Sequence, residues 1–251
     1  MNKSIVITLG IAAWFSSAAC DLWAQTSEQE AASYIELGNR WHRQGDLTRA
    51  IATYGIALQF APKSALAYFN RGLVQQERGD LADAIADYSR TIEINPQSAD
   101  AYLNRGNVHG MLGDVDRASS DYASALAIDP DMTKAYYNRG NLRFHQGDLD
   151  GALSDFDLAL KGDRRYVMAY NNRGITRQEK GDLAGAVSDF GLAIKFDPSH
   201  ASAYVNRGLA LWRLGKQAEA RRDLLRALAL KPALKPFIDE HIAGRIVRDG
   251  F

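Results

Sequence analysis

Apolar and polar residues follow a helical period over most of the chain, in stretches of about a dozen residues. From residue 31 onward the stretches come in pairs, joined by Gly-Asp-Leu or a close variant at 45–47, 79–81, 147–149 and 181–183. Glycine at such a turn ends one helix in the left-handed conformation, and aspartate caps the start of the next. The pattern therefore predicts a series of helix-turn-helix pairs.

The pairs are copies of one unit. The tripeptide Asn-Arg-Gly occurs five times, beginning at residues 70, 104, 138, 172 and 206, with a constant step of 34 residues. This period defines six units: 31–64, 65–98, 99–132, 133–166, 167–200 and 201–234. A period of this length indicates stacked supersecondary units, each of which is unable to bury its apolar face alone.

Each unit keeps small and aromatic residues at fixed positions. Position 4 is tyrosine, position 8 is glycine and position 20 is alanine in all six units, and position 24 is aromatic in five. The small residues let two helices approach closely, and the aromatic side chains fill the space around them. These are the defining positions of the tetratricopeptide repeat family, which the chain resembles from about residue 31 to its end. The resemblance implies an all-α, right-handed superhelical solenoid of about six helix-turn-helix repeats.

The ends of the chain lie outside this array. Residues 1–24 have a short positive start, an apolar run from Ile5 to Phe15 and small residues after it, which is the layout of a bacterial secretory signal peptide. Residues 25–30 are predicted to be a short linker. Residues 235–251 place Phe237, Ile238 and Ile242 on one face of a helix, which predicts a C-terminal helix that caps the sixth repeat.

The sequence leaves the processing of the leader open. Ser17-Ala18-Ala19-Cys20 resembles the lipobox of bacterial lipoproteins, in which the cysteine becomes the lipidated first residue. It departs from that pattern at Ser17, where the family usually carries leucine or another aliphatic residue. The small residues also suit ordinary signal peptidase, as does a later cut near Ala24. Both routes predict an exported protein that is periplasmic, or held at the membrane by a lipid on Cys20.

Charge and composition favour a non-catalytic protein. The chain has 30 Lys and Arg against 30 Asp and Glu, so it lacks the positive charge expected of a nucleic-acid-binding protein. None of its five histidines has metal-ligand spacing to a second ligand, and no Ser/His/Asp or Cys/His arrangement stands out. We therefore expect a non-catalytic protein with no metal, no cofactor and no small-molecule substrate.

The asparagines at positions 6 and 9 are the candidate binding residues. In tetratricopeptide repeat proteins the first helix of each unit lines a concave groove, and asparagines at these positions contribute to a clamp for a peptide carboxylate. The candidate groove residues are Asn70, Asn104, Asn107, Asn138, Asn141, Asn172 and Asn206, and Asn39 also occupies position 9, in repeat 1. The lysines of the clamp have no counterpart at position 5, so a complete carboxylate clamp is not expected. Two interpretations stay open: the amides bind one ligand segment in the groove, or they hydrogen-bond to adjacent repeats.

The predicted function is that of an adaptor that holds an extended or helical segment of a partner protein. Amides suit this task because they both donate to and accept from a peptide backbone. The alternative is a structural protein that associates with itself or with an envelope assembly through its convex face or its C-terminal helix. The arginines at position 7 have a structural interpretation, in which their stems pack and their heads pair with acids or water.

The end of repeat 4 departs from the pattern. Gly162 replaces an apolar residue and Arg164 replaces the proline that closes five of the units. Glycine costs about 1 kcal/mol of helix propensity relative to alanine. The sequence thus predicts that the junction between repeats 4 and 5 opens first, and that Gly162→Ile stabilises the array.

Overall fold

The computed structural model describes the backbone of residues 17–242 and the side chains of residues 26–240. Within this part of the chain there are thirteen α-helices, one short 3-10 helix (Pro232–Leu234) and no strand. The helices are α1 Ser17–Arg43, α2 Leu47–Phe60, α3 Ala65–Arg78, α4 Leu81–Ile94, α5 Ala99–Met111, α6 Val115–Ile128, α7 Thr133–His145, α8 Leu149–Gly162, α9 Val167–Glu179, α10 Leu183–Phe196, α11 Ala201–Arg213, α12 Gln217–Leu230 and α13 Lys235–Ile242. This confirms the all-α class and the helix-turn-helix repeats, whereas the handedness of a superhelix stays a prediction.

The chain divides into two compact units, one ending at Pro96 and one beginning at Gln97. In the first unit α1 packs on α2 and α3 on α4; in the second, the pairs are α5 with α6, α7 with α8, α9 with α10 and α11 with α12. The first helix of each pair is called the A helix and the second the B helix. Within the second unit the A helices of successive repeats also contact one another.

The turns inside the pairs are formed as the sequence predicts. Glycine at position 15 of every repeat has a positive φ, between 76° and 91°, a conformation that side chains with a Cβ rarely adopt. Asp46, Asp114, Asp148 and Asp182 each accept a hydrogen bond from the backbone N–H three residues on. Asp80 makes no such bond.

The core of each repeat lies between its two helices. The alanine at position 20 is fully buried in all six repeats, and the side chain at position 24 is almost fully buried in each. In repeat 5, for example, the ring of Phe190 packs with Ala186 and Ala210. The glycine at position 8 allows this packing, because a Cβ added at Gly174 would lie 2.7 Å from Phe190 Cε1.

A second feature of the repeats is an arginine–aspartate fork between the two helices. In repeats 2 to 6 the arginine at position 7 donates two hydrogen bonds, from Nε and Nη2, to the buried aspartate at position 23, at 2.5 to 2.9 Å. The pairs are Arg71–Asp87, Arg105–Asp121, Arg139–Asp155, Arg173–Asp189 and Arg207–Asp223. Each arginine also lies over the tyrosine at position 4. These contacts agree with the structural interpretation of the arginines.

Position 11 adds a second group beside the aspartate in the middle repeats. Arg143 Nη1 lies 2.9 Å from Asp155 Oδ2, and Arg177 Nη1 lies 2.9 Å from Asp189 Oδ2. In repeat 3 the residue at position 11 is His109, whose Nε2 is 3.9 Å from Asp121. Burial lowers the pKa of His109, so this group is held in its neutral form.

The predicted terminal segments are only partly described. Residues 25–30, predicted to be a linker, belong to α1, because they contain no glycine or proline and are rich in good helix formers. Ile238 of α13 is buried against Val205, Leu224 and Ala227, as a capping helix requires. Most of the predicted signal peptide, the side chain of Cys20 and the end of the capping helix lie outside the described residues. Among the described helices, none is both long and apolar enough to cross a membrane.

The predicted effect of Gly162→Ile needs correction. A Cβ built at Gly162 would lie 2.2 Å from Thr133 Oγ1, so the space that an apolar side chain would fill is already taken. The substitution is therefore not expected to stabilise the protein. Repeats 4 and 5 are linked by Arg173 Nη1, which donates to Asp157 Oδ1 at 2.6 Å, and the early opening of their junction stays a prediction.

Candidate functional site

The candidate asparagines lie on A helices and are hydrogen-bonded, mostly to one another. In the second unit, Asn138 Nδ2 of α7 donates to Asn107 Oδ1 of α5 at 2.7 Å. The same oxygen accepts from the hydroxyl of Tyr122 at 3.0 Å. Burial raises the pKa of Tyr122 to about 12, so the phenol keeps the proton that it donates. The pair thus joins successive A helices and is held by the B helix behind it.

A similar bond joins α7 and α9, but here no hydroxyl from the B helix takes part, because position 24 of repeat 4 is Phe156. Asn172 Nδ2 of α9 donates to Asn141 Oδ1 of α7 at 2.7 Å and to the hydroxyl of Tyr137 at 3.1 Å. Asn172 Oδ1 accepts from Asn171 Nδ2 at 3.1 Å. Two bonds donated by Nδ2 and one accepted by Oδ1 therefore hold the amide of Asn172 within the protein.

The other predicted asparagines have different partners. Asn206 Nδ2 donates to Asn171 Oδ1 at 3.0 Å. In repeat 5 the accepting asparagine is therefore at position 5 instead of position 9. Asn104 Nδ2 donates to the carbonyl of Asp100 in its own helix at 2.9 Å. In the first unit Asn70 Nδ2 donates to Asn39 Oδ1 at 3.1 Å. The structure therefore joins most of the candidates in pairs, as the second interpretation expected.

These pairs leave half of each amide open. Asn107 and Asn141 accept through Oδ1, and within the described residues neither Nδ2 donates to a protein atom. Asn138 and Asn206 donate through Nδ2, and no described donor reaches either Oδ1. All four side chains are only partly buried. The A helices of the second unit therefore present open donors and open acceptors whose orientation is fixed by the internal bonds.

A cleft lies beside one of these pairs, between α7 and α9. It has a volume of about 180 Å³. Its lining residues are Asn141, Phe144, His145, Asn172 and Ile175. We call it the Asn141–Asn172 cleft. It combines open amide hydrogens with two apolar side chains, so it suits a ligand that is polar along one edge and apolar along another.

Sequence reasoning missed three of the lining residues, namely Phe144, His145 and Ile175. Ile175 occupies position 9, which the asparagine pattern marked in the neighbouring repeat, and the other two occupy positions 12 and 13. The register could have pointed to all three, since residues three or four apart share one face of a helix. The residue types at these positions differ between repeats, whereas asparagine recurs, so the repeat pattern does not mark these three residues.

The described residues contain no candidate metal-binding site. Among them, no group of three or more His, Cys, Asp and Glu side chains could hold a metal ion. Of the histidines, His42 Nε2 is 2.6 Å from Glu77 Oε2 in an exposed pair, and His109 lies beside the fork of repeat 3. The expectation of a non-catalytic protein stays a prediction.

Comparison with known families places the repeats in a recognised class. Two sequence profiles described as tetratricopeptide repeat match the chain, one over residues 37–109 and the other over residues 103–166 and 171–235. No curated protein matches the sequence.

Solved structures show the same fold. PilF of Pseudomonas aeruginosa has a TM-score of 0.73 at 17% identity, covering 82% of this chain and 94% of that chain. PilW, described as a widely conserved type IV pilus biogenesis factor, has a TM-score of 0.72 at 22% identity, with coverage of 80% and 94%. YrrB, described as having an unusual peptide-binding site, has a TM-score of 0.61 at 23% identity, with coverage of 71% and 92%.

Proposed function

Because the chain belongs to the tetratricopeptide repeat family, we propose that it is an adaptor that binds an extended segment of a partner protein. The ligand runs along the A helices of residues 97–242 and is centred on the Asn141–Asn172 cleft. The observation that carries the proposal is the set of half-used amides, which present open donors at Asn107 and Asn141 and open acceptors at Asn138 and Asn206.

An extended peptide is the ligand that these groups fit best. Its backbone offers one N–H and one C=O per residue, and so needs both acceptors and donors on the surface that binds it. Amides that are already held by internal bonds lose little side-chain entropy when they bind. The internal bonds therefore favour recognition, since they orient the open atoms in advance.

The size of the cleft argues for a side chain and against a free small molecule. At about 180 Å³ it is smaller than the roughly 300 Å³ at which small-molecule pockets begin. Phe144 and Ile175 provide apolar walls, so an apolar side chain of the peptide would lie between them. Peptide binding by YrrB is a property of that protein; for this chain the argument rests on its own amides.

Asn141→Asp tests the proposal. Aspartate keeps an oxygen for the bond from Asn172 but replaces the two open N–H donors by an acceptor. Peptides selected from a random display library on the purified protein should bind the variant at least about tenfold more weakly, a loss of about 1.4 kcal/mol, with little change in Tm. Titration calorimetry measures the first quantity and thermal denaturation the second.

The matched control is Asn39→Asp in the first unit. It makes the same change of atoms and charge on a position-9 amide that accepts from Asn70 as Asn141 accepts from Asn172, and that accepts in addition from the hydroxyl of Tyr54. It should leave peptide affinity unchanged. Equal affinities of Asn141→Asp and the parent protein would contradict the proposed site. Light scattering tests the alternative role, because a self-assembling protein forms a defined oligomer without any partner.

We further propose that the protein works in the cell envelope, supported by the signal-like sequence of residues 1–24. The native protein should begin at or shortly after Cys20, and if it is lipidated, Cys20→Ser should release it from membranes. Mass spectrometry of the purified native protein measures the N-terminus. An intact Met1 on a protein found in the cytoplasmic fraction would rule out this location.

A further inference from the structure

We propose that repeat 6 contains a binding site for a guanidinium group, such as an arginine side chain of a partner. The site is a cavity of about 380 Å³ beside Asp223, called here the Asp223 cavity. Its lining residues are Val187, Arg207, Leu211, Glu219, Arg222 and Asp223. It shares no residue with the Asn141–Asn172 cleft, so it is independent of the proposed peptide site.

In repeats 4 and 5 the corresponding place is filled by an arginine, whereas position 11 is Trp41, Gln75 and His109 in repeats 1 to 3. The guanidinium of the arginine is received by positions 19 and 23 of the B helix. Arg143 Nη1 donates to Gly151 O at 3.3 Å and to Asp155 Oδ2 at 2.9 Å. Arg177 Nη1 donates to Gly185 O at 3.4 Å and lies 2.9 Å from Asp189 Oδ2. Each aspartate thus receives two guanidinium groups, one from position 7 and one from position 11.

In repeat 6 the second guanidinium is missing. Position 11 is Leu211, and the cavity is lined by positions 7, 11, 19 and 23 of the same repeat. Asp223 is 7% exposed and is held by Arg207 at 2.6 Å and 2.7 Å. The receptor for a second guanidinium is therefore present, while the side chain that fills it in repeats 4 and 5 is replaced by a shorter, apolar one.

The charged residues around this place differ between repeat 6 and repeats 4 and 5, but a second carboxylate is still present in repeat 6. In repeats 4 and 5 the arginine also lies near the capping aspartate at position 16, 3.7 Å away from Asp148 and 3.9 Å from Asp182. In repeat 6 position 16 is Lys216, but position 19, a glycine in repeats 4 and 5, is Glu219, which lines the cavity. Arg207 and the exposed Arg222 also line the cavity, so its four charged side chains balance. An entering cation would meet two carboxylates there, one of them buried.

A pair of probes of nearly equal shape tests the assignment. N-acetylarginine amide carries a guanidinium, whereas N-acetylcitrulline amide carries an uncharged urea in its place. In the purified protein the first should cause saturable NMR shift changes at the backbone amides of Leu211, Glu219 and Asp223, with half-saturation in the millimolar range. The second should cause none. Absence of saturable changes with the arginine probe, or equal changes with both probes, would overturn the proposal.

Two variants give independent checks. Leu211→Arg supplies the missing side chain from within, as in repeats 4 and 5, and should abolish binding of the arginine probe in a folded protein. Arg177→Leu makes the converse change in repeat 5 and should create a second site, seen as new saturable shifts at Gly185 and Asp189. The second variant keeps the proposal testable if the first does not fold. Undiminished binding to folded Leu211→Arg, or no new site in Arg177→Leu, would count against the assignment.

Discussion

Asp189→Asn is expected to lower the free energy of unfolding by about 3–5 kcal/mol. Asp189 is 1% exposed and accepts hydrogen bonds from Arg173 Nε at 2.9 Å and Nη2 at 2.5 Å, with Arg177 Nη1 2.9 Å away. Asparagine cannot neutralise either guanidinium, so the variant loses the buried counter-charge that they share. Only exposed carboxylates remain near them, Asp157 at 2.6 Å from Arg173 and Asp182 at 3.9 Å from Arg177. Urea denaturation followed by circular dichroism measures the loss.

The matched control is Asp150→Asn, which breaks an ion pair in the same unit at the surface. Asp150 pairs with Lys180, and its side chain is 86% exposed. Exposed pairs contribute about 0–1 kcal/mol, so this variant should unfold at nearly the same urea concentration as the parent. If Asp189→Asn lost no more stability than Asp150→Asn, the forks would have to be regarded as surface ion pairs.

Repeat 1 shows that a repeat also works without the fork when both members change together. Its positions 7 and 23 are Leu37 and Thr53, and Thr53 Oγ1 donates to a backbone carbonyl of its own helix. Asp87→Thr in repeat 2 leaves Arg71 half-buried and unpaired at this position. Adding Arg71→Leu should therefore recover part of the lost stability. A buried ion pair can often be replaced by a pair of apolar side chains, whereas removing only one partner leaves an uncompensated charge.

The fold could be predicted because its determinants are local and repeated. Glycine at position 15 and the alanine and aromatic positions recur in all or nearly all repeats, so a single irregular residue cannot hide the pattern. Each of these residues acts within one helix pair. The sequence therefore predicts the helix pairs and their turns, and the structure confirms both.

The forks were harder to predict, although their signal is present in the sequence. Arginine at position 7 and aspartate at position 23 occur together in five repeats and are both absent from repeat 1. They are 16 residues apart, across a turn, so helical periodicity does not connect them. The pairing follows only once the angle between the two helices is known. The same holds for Gly162 and Thr133, which lie 29 residues apart and share one space.

The sequence predicts which residues belong to the candidate site, but it does not predict the hydrogen bonds that they make. The recurrence of asparagine identifies Asn107, Asn138 and Asn141 without showing which amide atoms are used inside the protein. The two interpretations exclude each other only if a groove amide makes no internal hydrogen bond. An amide has both a donor and an acceptor end, and these residues bond internally through one end and leave the other open. The helical register places Phe144 and Ile175 beside these amides, but only the packing of α7 against α9 shows that they line one cleft.

Gly174→Ala is expected to destabilise the protein, whereas Gly191→Ala in the same repeat should stabilise it. Both glycines are helical, so both variants gain about 1 kcal/mol of helix propensity. A Cβ at Gly174 would lie 2.7 Å from Cε1 and 2.9 Å from Cδ1 of Phe190, a fully buried ring. At Gly191 the nearest atom is Arg207 Nη1 at 3.6 Å, an ordinary contact.

The difference between these two variants isolates the cost of overpacking, because the propensity term cancels. Adding a methyl group to a packed core typically costs about 1–3 kcal/mol, and this is the gap expected between their free energies of unfolding in urea. Phe190 cannot simply move aside, since Ala186 and Ala210 pack against it. Equal stabilities would show that the ring has room to shift. The constant glycine at position 8 would then need another explanation than close approach of the two helices.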